Sequence, residues 1–225
     1  MSPYVFMERN KIHIIDHNKT ISKLEEACRS LKQIAKSGKK ILFVATKKQA
    51  KSIVAESAKS LNMPYITERW PGGLLTNFST IRKSIKKMNS IDTMKEDGTF
   101  DTLSKREKLQ IERTREKLEL NFGSIENMNR IPEAIFVVDI NKEHIAVAEA
   151  NKLGMRSYAM VDTNTNPKLV NFPIPANDDS TKSISKIMQI ISEAIAEGLS
   201  ERSKTIEEKA KIKQEKAKEI LNKDN

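Results

Sequence analysis

Four aspartates stand where a carboxylate could bind a cation or assist chemistry on a phosphorylated substrate. Asp139 and Asp162 each end an apolar segment, and Asp178 and Asp179 precede a helical pattern. Carboxylates at strand ends can coordinate a divalent cation. Helix capping and turn formation explain Asp162, Asp178 and Asp179 equally well. Both interpretations stay open, and because no carboxylate pair has a nearby base, we assign no catalytic residue, no metal and no cofactor.

The motifs that usually mark an enzyme are missing from the sequence. The glycines stand at 38, 72, 73, 98, 123, 154 and 198, so neither GxGxxG nor the P-loop pattern can be assembled. The three histidines form no HExxH pair, and no serine lies in a GxSxG turn. The single cysteine, Cys28, excludes an internal disulfide, and its place on an apolar stripe predicts a core residue. We predict a non-enzyme, with a doubly wound enzyme acting on a phosphorylated substrate as the alternative.

The charge balance favours a polyanionic partner. Lys and Arg number 40 against 30 Asp and Glu, which gives the 225-residue chain a net charge of +10. The longest apolar runs, at 41–45 and 134–138, are far shorter than the ~20 residues of a membrane span. The first residues show no secretory signal pattern. We therefore expect a soluble, helix-rich protein of a reducing compartment, with a basic surface and no membrane partner.

Six lysines lie in two groups on either side of one short apolar segment. They are Lys36, Lys39 and Lys40 before residues 41–45, and Lys47, Lys48 and Lys51 after them. The second group falls at the carboxyl end of a predicted strand, where open α/β sheets bind ligands, beside a helix N-terminus that favours anions. Lysine is unfavourable at that helix end, which favours an external polyanion, although a solvated lysine-rich face explains the same pattern.

Two further segments could contact phosphates. At helical spacing, one basic stripe is formed by Arg82, Lys83, Lys86 and Lys87, which suits a row of phosphates. Just before this stripe, the segment 69–77 combines an arginine and the sole tryptophan with paired glycines and a Thr-Asn pair. Glycines permit close backbone approach, and the indole either stacks against a ligand or, as we expect, is buried as an anchor.

Short apolar runs alternate with longer periodic segments, which indicates strands alternating with helices. The predicted strands cover residues 12–15, 41–46, 65–67, 134–139 and 157–162. The predicted helices cover 18–37, 49–61, 143–153 and 180–197, with Asn18 or Thr20 as the first cap and Gly198 as the last stop. Unbroken apolar strands are typical of a sheet covered on both faces, so we predict an α/β fold with a doubly wound parallel sheet.

Two segments fall outside the predicted sheet. Residues 78–129 contain two helical patterns around a turn at Asp97-Gly98, which predicts an inserted helical hairpin. We expect this hairpin to project from the sandwich, and the alternative is that it only caps the sheet. Residues 200–225 are rich in Lys and Glu, so we expect a charged helical or disordered tail. The sandwich is then formed by 1–77 and 130–199. Because the apolar residues of the hairpin suffice for only one seam, we expect the hairpin to be dispensable for folding.

Five segments together resemble the bacterial form of the second protein of the small ribosomal subunit. They are Tyr4-Val-Phe-Met-Glu-Arg-Asn-Lys-Ile-His-Ile-Ile15, Arg69-Trp-Pro-Gly-Gly-Leu-Leu-Thr-Asn-Phe78, Pro132-Glu-Ala-Ile-Phe-Val-Val-Asp139, Val161-Asp-Thr-Asn164 and Phe172-Pro-Ile-Pro-Ala-Asn-Asp-Asp179. They follow the order and spacing of that family over residues 2–199. The resemblance implies a flavodoxin-like three-layer αβα sandwich with parallel sheet and an inserted helical hairpin.

The same resemblance implies a structural role on small-subunit ribosomal RNA in the cytoplasmic ribosome. It also implies docking of neighbouring small-subunit ribosomal proteins, including the mRNA-binding protein one. We expect contacts to phosphate and sugar groups, which position a protein on RNA without reading its sequence. The candidate RNA-binding residues are Lys39, Lys40, Lys47, Lys48, Arg69, Thr76, Asn77, Arg82, Lys83, Lys86 and Lys87.

Overall fold

The fold is described from a computed structural model, which covers the backbone of residues 1–223 and the side chains of residues 1–207 apart from Ser2. Within this part, the strands are β1 (Val5–Arg9), β2 (Ile12–Ile15), β3 (Ile41–Val44), β4 (Tyr65–Ile66), β5 (Ala134–Val138), β6 (Arg156–Val161) and β7 (Phe172–Pro175). The α-helices are α1 (His17–Lys36), α2 (Lys48–Ser60), α3 (Phe78–Glu96), α4 (Lys105–Phe122), α5 (His144–Lys152) and α6 (Thr181–Lys223). No helix in the described part is both long enough and apolar enough to cross a membrane.

Strands β3 to β7 form one parallel sheet in the order β4-β3-β5-β6-β7. Ile41 pairs with Ala134, and Ala134 pairs with Arg156, so the three central strands begin level with one another. Every residue of β3 and β5 is buried, because helices cover the sheet on both sides. The predicted flavodoxin-like αβα sandwich is therefore confirmed.

The two faces of the sheet are covered in different ways. On the first face, α1, α2 and α6 pack over Phe43 and Phe136, and Cys28 packs against this core as predicted. On the second face, α5 shares the cover with the loop 69–77 and with the base of the α3–α4 hairpin. Trp70 and Leu74 of this loop belong to the second core. The loop thus covers part of the sheet as a helix would, and its buried side chains fix the position of the loop on the sheet.

The α3–α4 hairpin is inserted between β4 and β5, as predicted. Ion pairs of Asp92 with Arg115 and of Lys95 with Glu112 show that the two helices run antiparallel. The base of the hairpin, however, contributes buried residues to the second core, and these are Ile81, Ile85, Ile125 and Met128. We predicted that the whole hairpin is dispensable for folding. Because its base belongs to the core, we now expect only its distal part to be dispensable.

Two strands were not predicted from the sequence. β1 pairs antiparallel with β2 in a separate two-stranded sheet, with Val5 opposite Ile15. β7 lies at the edge of the main sheet and contains Pro173 and Pro175. Proline has no amide hydrogen, which restricts it largely to edge strands. The edge position of β7 satisfies that restriction.

Two helix ends also differ from the sequence prediction. Asp16 caps α1, in place of Asn18 or Thr20, because its carboxylate accepts a hydrogen bond from the backbone amide of Asn18 at 3.0 Å. α6 continues through Gly198, where we predicted its end. A Cβ atom on Gly198 would lie 2.5 Å from the carbonyl oxygen of Lys32. The glycine therefore permits a close approach between α1 and α6.

Candidate nucleic-acid interface

Charges of the protein itself fill the crevice at the carboxyl ends of β3 and β5, the place where doubly wound sheets usually bind a ligand. The Nζ atom of Lys47 lies 2.5 Å from a carboxylate oxygen of Asp178, 2.7 Å from Asp179 and 3.4 Å from Asp139. The Lys47 side chain is 16% exposed, and that of Asp178 is 3% exposed. Lys47 therefore provides the positive charge that this acidic cluster needs.

Burial and hydrogen bonding determine the protonation of this cluster. Burial raises the pKa of Asp178 to about 6, against the opposite effect of the hydrogen bond from Lys47, and Asp139 and Asp162 add to the rise. Burial lowers the pKa of Lys47, but the hydrogen bonds to Asp178 and Asp179 outweigh it and hold that pKa above its usual value. Carboxylate oxygens of Asp162, Asp178 and Asp179 lie within 4.8 Å of one another. Lys47 forms ion pairs with two of these three carboxylates, those of Asp178 and Asp179.

Glu143 closes the same crevice from the start of α5. Its carboxylate is buried and accepts hydrogen bonds from the Thr46 hydroxyl and, at 3.1 Å, from the Thr46 amide. Burial raises the pKa of Glu143 in spite of these bonds. Lys142 donates to the Thr46 carbonyl oxygen at 3.0 Å. Internal contacts thus occupy this end of the sheet, whereas Lys48 is exposed at the start of α2.

The loop 69–77 buries its middle and exposes its polar ends. Trp70 is 6% exposed and Leu74 is fully buried, which confirms the predicted burial of the indole. The candidate residues of this loop that remain exposed are Arg69, Thr76 and Asn77. Asn77 lies at the N-terminus of α3, where its side-chain oxygen accepts a hydrogen bond from the Thr80 hydroxyl at 2.9 Å. The loop therefore presents polar groups next to the basic helix.

A carboxylate that our sequence analysis did not select holds the middle of this loop. Glu149 of α5 is 8% exposed, and its oxygens accept hydrogen bonds from Trp70, Gly73, Leu75 and Thr76. These partners lie 73 to 79 residues away along the chain. No local pattern in the sequence distinguishes Glu149 from a solvent-facing glutamate of α5.

The predicted basic stripe lies along α3, opposite its buried face. Lys83, Lys86 and Lys87 are exposed. Salt bridges of the described residues include none of these three lysines. Arg82 is partly buried and donates to the carbonyl oxygen of Met128 at 3.3 Å. The three lysines thus present a row of unneutralised charge to the outside.

Lys39 and Lys40 lie at the amino ends of the strands, whereas Lys47 lies at the carboxyl ends. The Lys39 Nζ pairs with Glu133 at 2.6 Å, and the Lys40 Nζ donates to the carbonyl oxygen of Asn62 at 2.5 Å. Both lysines line a groove of about 400 Å³. Further residues along this groove are Met128, the acceptor of the Arg82 hydrogen bond, and Arg130, which our sequence analysis did not select. The structure thus places Lys39 and Lys40 in one groove, to which Arg82 is linked by its hydrogen bond to Met128, and at the opposite ends of the strands from Lys47 and Lys48.

Comparisons with known proteins agree with one another. Residues 1–198 match a family model described as Ribosomal protein S2. The chain is 64% identical over 202 residues to the small ribosomal subunit protein uS2 of Flavobacterium johnsoniae, covering 90% of this chain and 80% of that protein. It is 63% identical over 202 residues to the protein of the same name from Phocaeicola vulgatus, covering 90% of this chain and 72% of that protein. The matched residues include the sandwich and the inserted hairpin.

Proposed function

Because the chain belongs to the ribosomal protein S2 family and is a structural constituent of the small ribosomal subunit, we propose that it binds the RNA of that subunit through exposed cations around α3. The contacts we propose are ionic and hydrogen-bonded contacts to phosphate and sugar groups. Such contacts would hold the protein in place in the assembled subunit of the cytoplasmic ribosome.

The observation that carries this proposal is the row of lysines on α3. Lys83, Lys86 and Lys87 are exposed, and the salt bridges of the described residues neutralise none of them. A lysine row that binds no internal carboxylate carries an electrostatic cost in the isolated protein, and a phosphate backbone removes that cost while its counterions are released. Arg69, Thr76 and Asn77 lie just before this helix and extend the same surface.

A second contact surface is proposed at the amino ends of the strands. Lys39, Lys40 and Arg130 line one groove there, and Arg82 approaches it through Met128. The pairing of Lys39 with Glu133 partly neutralises this surface. We therefore expect a smaller contribution to RNA affinity from this groove than from the α3 lysines.

The structure changes the role that we assign to Lys47. Three aspartates surround its ammonium group, and separating it from them would leave the buried carboxylate of Asp178 unpaired. We therefore remove Lys47 from the proposed set of phosphate contacts and keep its exposed neighbour Lys48.

The alternative of a doubly wound enzyme has no support from the family or from its relatives. The crevice in which such an enzyme would hold a phosphorylated substrate contains the Lys47 ion pairs and the Glu143–Thr46 hydrogen bonds.

We include in the proposal the docking of neighbouring ribosomal proteins, among them the mRNA-binding protein one. The distal part of the hairpin, which is tied to the sheet only through its base, is the element we propose for protein or RNA contacts outside the sandwich.

Co-sedimentation with small ribosomal subunits that lack this protein tests the proposal. The purified full chain should sediment with the particles at low salt and be progressively released at high salt, because each neutralised phosphate contributes to the salt dependence. Recovery of all the protein in the light fraction even at low salt would overturn the proposal. Retention of the mRNA-binding protein one is measured in the same particles with and without the chain.

A further inference from the structure

Glu149 binds the loop 69–77 through both of its carboxylate oxygens. Oε1 accepts hydrogen bonds from the indole Nε1 of Trp70 at 3.0 Å and from the amide of Gly73 at 2.7 Å. Oε2 accepts hydrogen bonds from the amides of Leu75 and Thr76 at 3.0 and 3.1 Å and from the Thr76 hydroxyl at 3.2 Å. One side chain therefore fixes the beginning, the middle and the end of the loop.

Hydrogen-bond donors of the loop stabilise the negative charge of the Glu149 carboxylate. The salt bridges of the described residues do not include Glu149. Burial raises its pKa, but the indole hydrogen bond and the amide bonds from Thr76, Gly73 and Leu75 outweigh that effect and hold the pKa below its usual value. An ionised carboxylate accepting several amide hydrogen bonds is a strong interaction, so the loop conformation depends on a charged Glu149.

The residues next to these anchored donors are the ones that face outward. Arg69 precedes Trp70, Asn77 follows Thr76, and both are exposed. Gly73 has φ of 85°, a left-handed conformation, and its carbonyl oxygen accepts from the Asn77 amide at 2.7 Å. The first turn of α3 is therefore set by the same turn that the carboxylate holds, and Arg69 is joined directly to the anchored Trp70.

Glu149 cannot itself contact RNA favourably. It is 8% exposed, its lone pairs are already used by the loop, and its negative charge would repel phosphate. Any effect on RNA binding must act through the position of the loop.

From this arrangement we propose that Glu149 is the positioning residue of the RNA-contacting loop: by binding both ends of 69–77 it holds Arg69 and Asn77 in the geometry that meets the phosphate backbone, while the amide and the hydroxyl of Thr76 serve in the anchor. This inference rests on the proposed function of the preceding subsection. It adds a residue of α5 that touches no RNA and on which RNA affinity nevertheless depends.

The test compares Glu149→Gln with Glu143→Gln in the full chain. Both glutamates are buried in or next to α5, but Glu143 binds Thr46 and does not touch the loop. The amide group of glutamine would place a donor against the donors of the loop, so Glu149→Gln should break part of the anchor. Because Trp70 is the sole tryptophan, its fluorescence and its indole N–H resonance report directly on the anchor.

Glu149→Gln should shift the Trp70 signals and weaken binding to small-subunit ribosomal RNA by about tenfold. It should also make the fall of log affinity with log salt less steep, by about one in the slope. Glu143→Gln should change none of these three quantities in the folded protein. Val147→Ala, a core change in the same helix, provides a destabilised variant with an intact anchor, and its salt slope should equal that of the unaltered chain. If Glu149→Gln does not fold, Glu149→Asp replaces it, and its shorter carboxylate should give a smaller change in the same direction.

Two results would overturn the inference. One is an unchanged indole signal and unchanged RNA affinity in Glu149→Gln or in its aspartate substitute. The other is the same loss of affinity and salt slope in Val147→Ala, which would assign the effect to stability. Failure of the proposed function looks different: the unaltered chain would then show no salt-sensitive RNA binding, although the indole signal still responded to Glu149→Gln.

Discussion

The ammonium group of Lys47 and the buried carboxylate of Asp178 form an ion pair of 2.5 Å between residues 131 positions apart in the chain. This pair ties the connection between β3 and α2 to the segment that precedes α6. It also occupies the end of the sheet where ligands bind in other doubly wound proteins. A positively charged residue that the sequence suggests for an external polyanion is thus used inside the fold.

Lys47→Met should lower the free energy of unfolding by about 3 kcal/mol near neutral pH, because it leaves the buried carboxylate of Asp178 without its cation. The loss should be smaller near pH 5. The pKa of Asp178 is raised to about 6 from its usual 3.8, so the folded protein binds this proton more tightly and folding is favoured as the pH falls through 6. Removal of Lys47 raises that pKa further, and a protonated Asp178 no longer requires a cation.

Urea denaturation of this variant at both pH values measures the effect, with Lys48→Ala as the matched control. Lys48 is exposed, so its removal should change the stability by less than about 0.5 kcal/mol. Equal losses in the two variants, or a Lys47→Met loss that does not depend on pH, would contradict the structural role of Lys47.

Replacing Lys83, Lys86 and Lys87 together with alanine should weaken binding to small-subunit RNA and lower the salt slope by about two to three, since each lysine is proposed to neutralise one phosphate. The fold should be unaffected because these side chains are exposed. The control removes three exposed lysines of α6, Lys182, Lys186 and Lys204, which lie on the helix layer of the opposite face. Affinity is measured by filter binding over a salt series. The stripe is not the RNA contact if both triple variants give the same slope.

The strands of the sheet could be predicted where burial on both faces leaves a simple pattern. β3, β5 and β6 are nearly unbroken apolar runs, and such runs have few alternatives in a chain of this length. β7 could not be predicted in the same way because Pro173 and Pro175 are strand breakers by type. Only the position of β7 at the edge of the sheet makes them acceptable.

The candidate contact surface could be predicted in part for a related reason. Lys83, Lys86 and Lys87 follow from helical spacing, which is a local property of the sequence. The role of Lys47 depends on Asp139, Asp178 and Asp179, and the role of Glu149 depends on amides 73 to 76 residues away. Charges that are neutralised by distant partners cannot be told from solvated charges until the fold brings those partners together.

Shortening the hairpin should separate its folding role from its contacts. The pairs Asp92–Arg115 and Lys95–Glu112 set the register of the two helices, so a short Gly/Ser linker in place of residues 90–117 joins α3 and α4 at positions that face each other. The shortened chain should unfold cooperatively in urea, while its incorporation into the small subunit, or the retention of a neighbouring protein, decreases.

The comparison variant replaces residues 79–128 and so removes Ile81, Ile85, Ile125 and Met128 from the second core. Its stability should fall by more than about 4 kcal/mol, because several large buried side chains are lost at once. Normal stability of this larger deletion would show that the hairpin base is not part of the core. Full incorporation of the shorter deletion would show that the distal hairpin makes no contacts in the subunit.

Gly198→Ala should destabilise the protein by about 1 to 3 kcal/mol, because the added Cβ would lie 2.5 Å from the Lys32 carbonyl oxygen and force α1 and α6 apart. Gly72→Ala is the control, since a Cβ at that position would meet no atom within 4 Å. Thermal and urea denaturation of both variants measure the difference. A Gly198→Ala variant as stable as Gly72→Ala would contradict the close helix approach seen here.

A density map of the assembled small ribosomal subunit containing this chain tests the central claim most directly. The account predicts that Lys83, Lys86 and Lys87 of α3, together with Arg69 at the end of the Glu149-anchored loop, lie within hydrogen-bonding distance of RNA phosphates. In the same map, Lys47 should remain among its three aspartates and make no RNA contact. A map in which the α3 lysines face solvent while RNA approaches Lys47 would contradict the account.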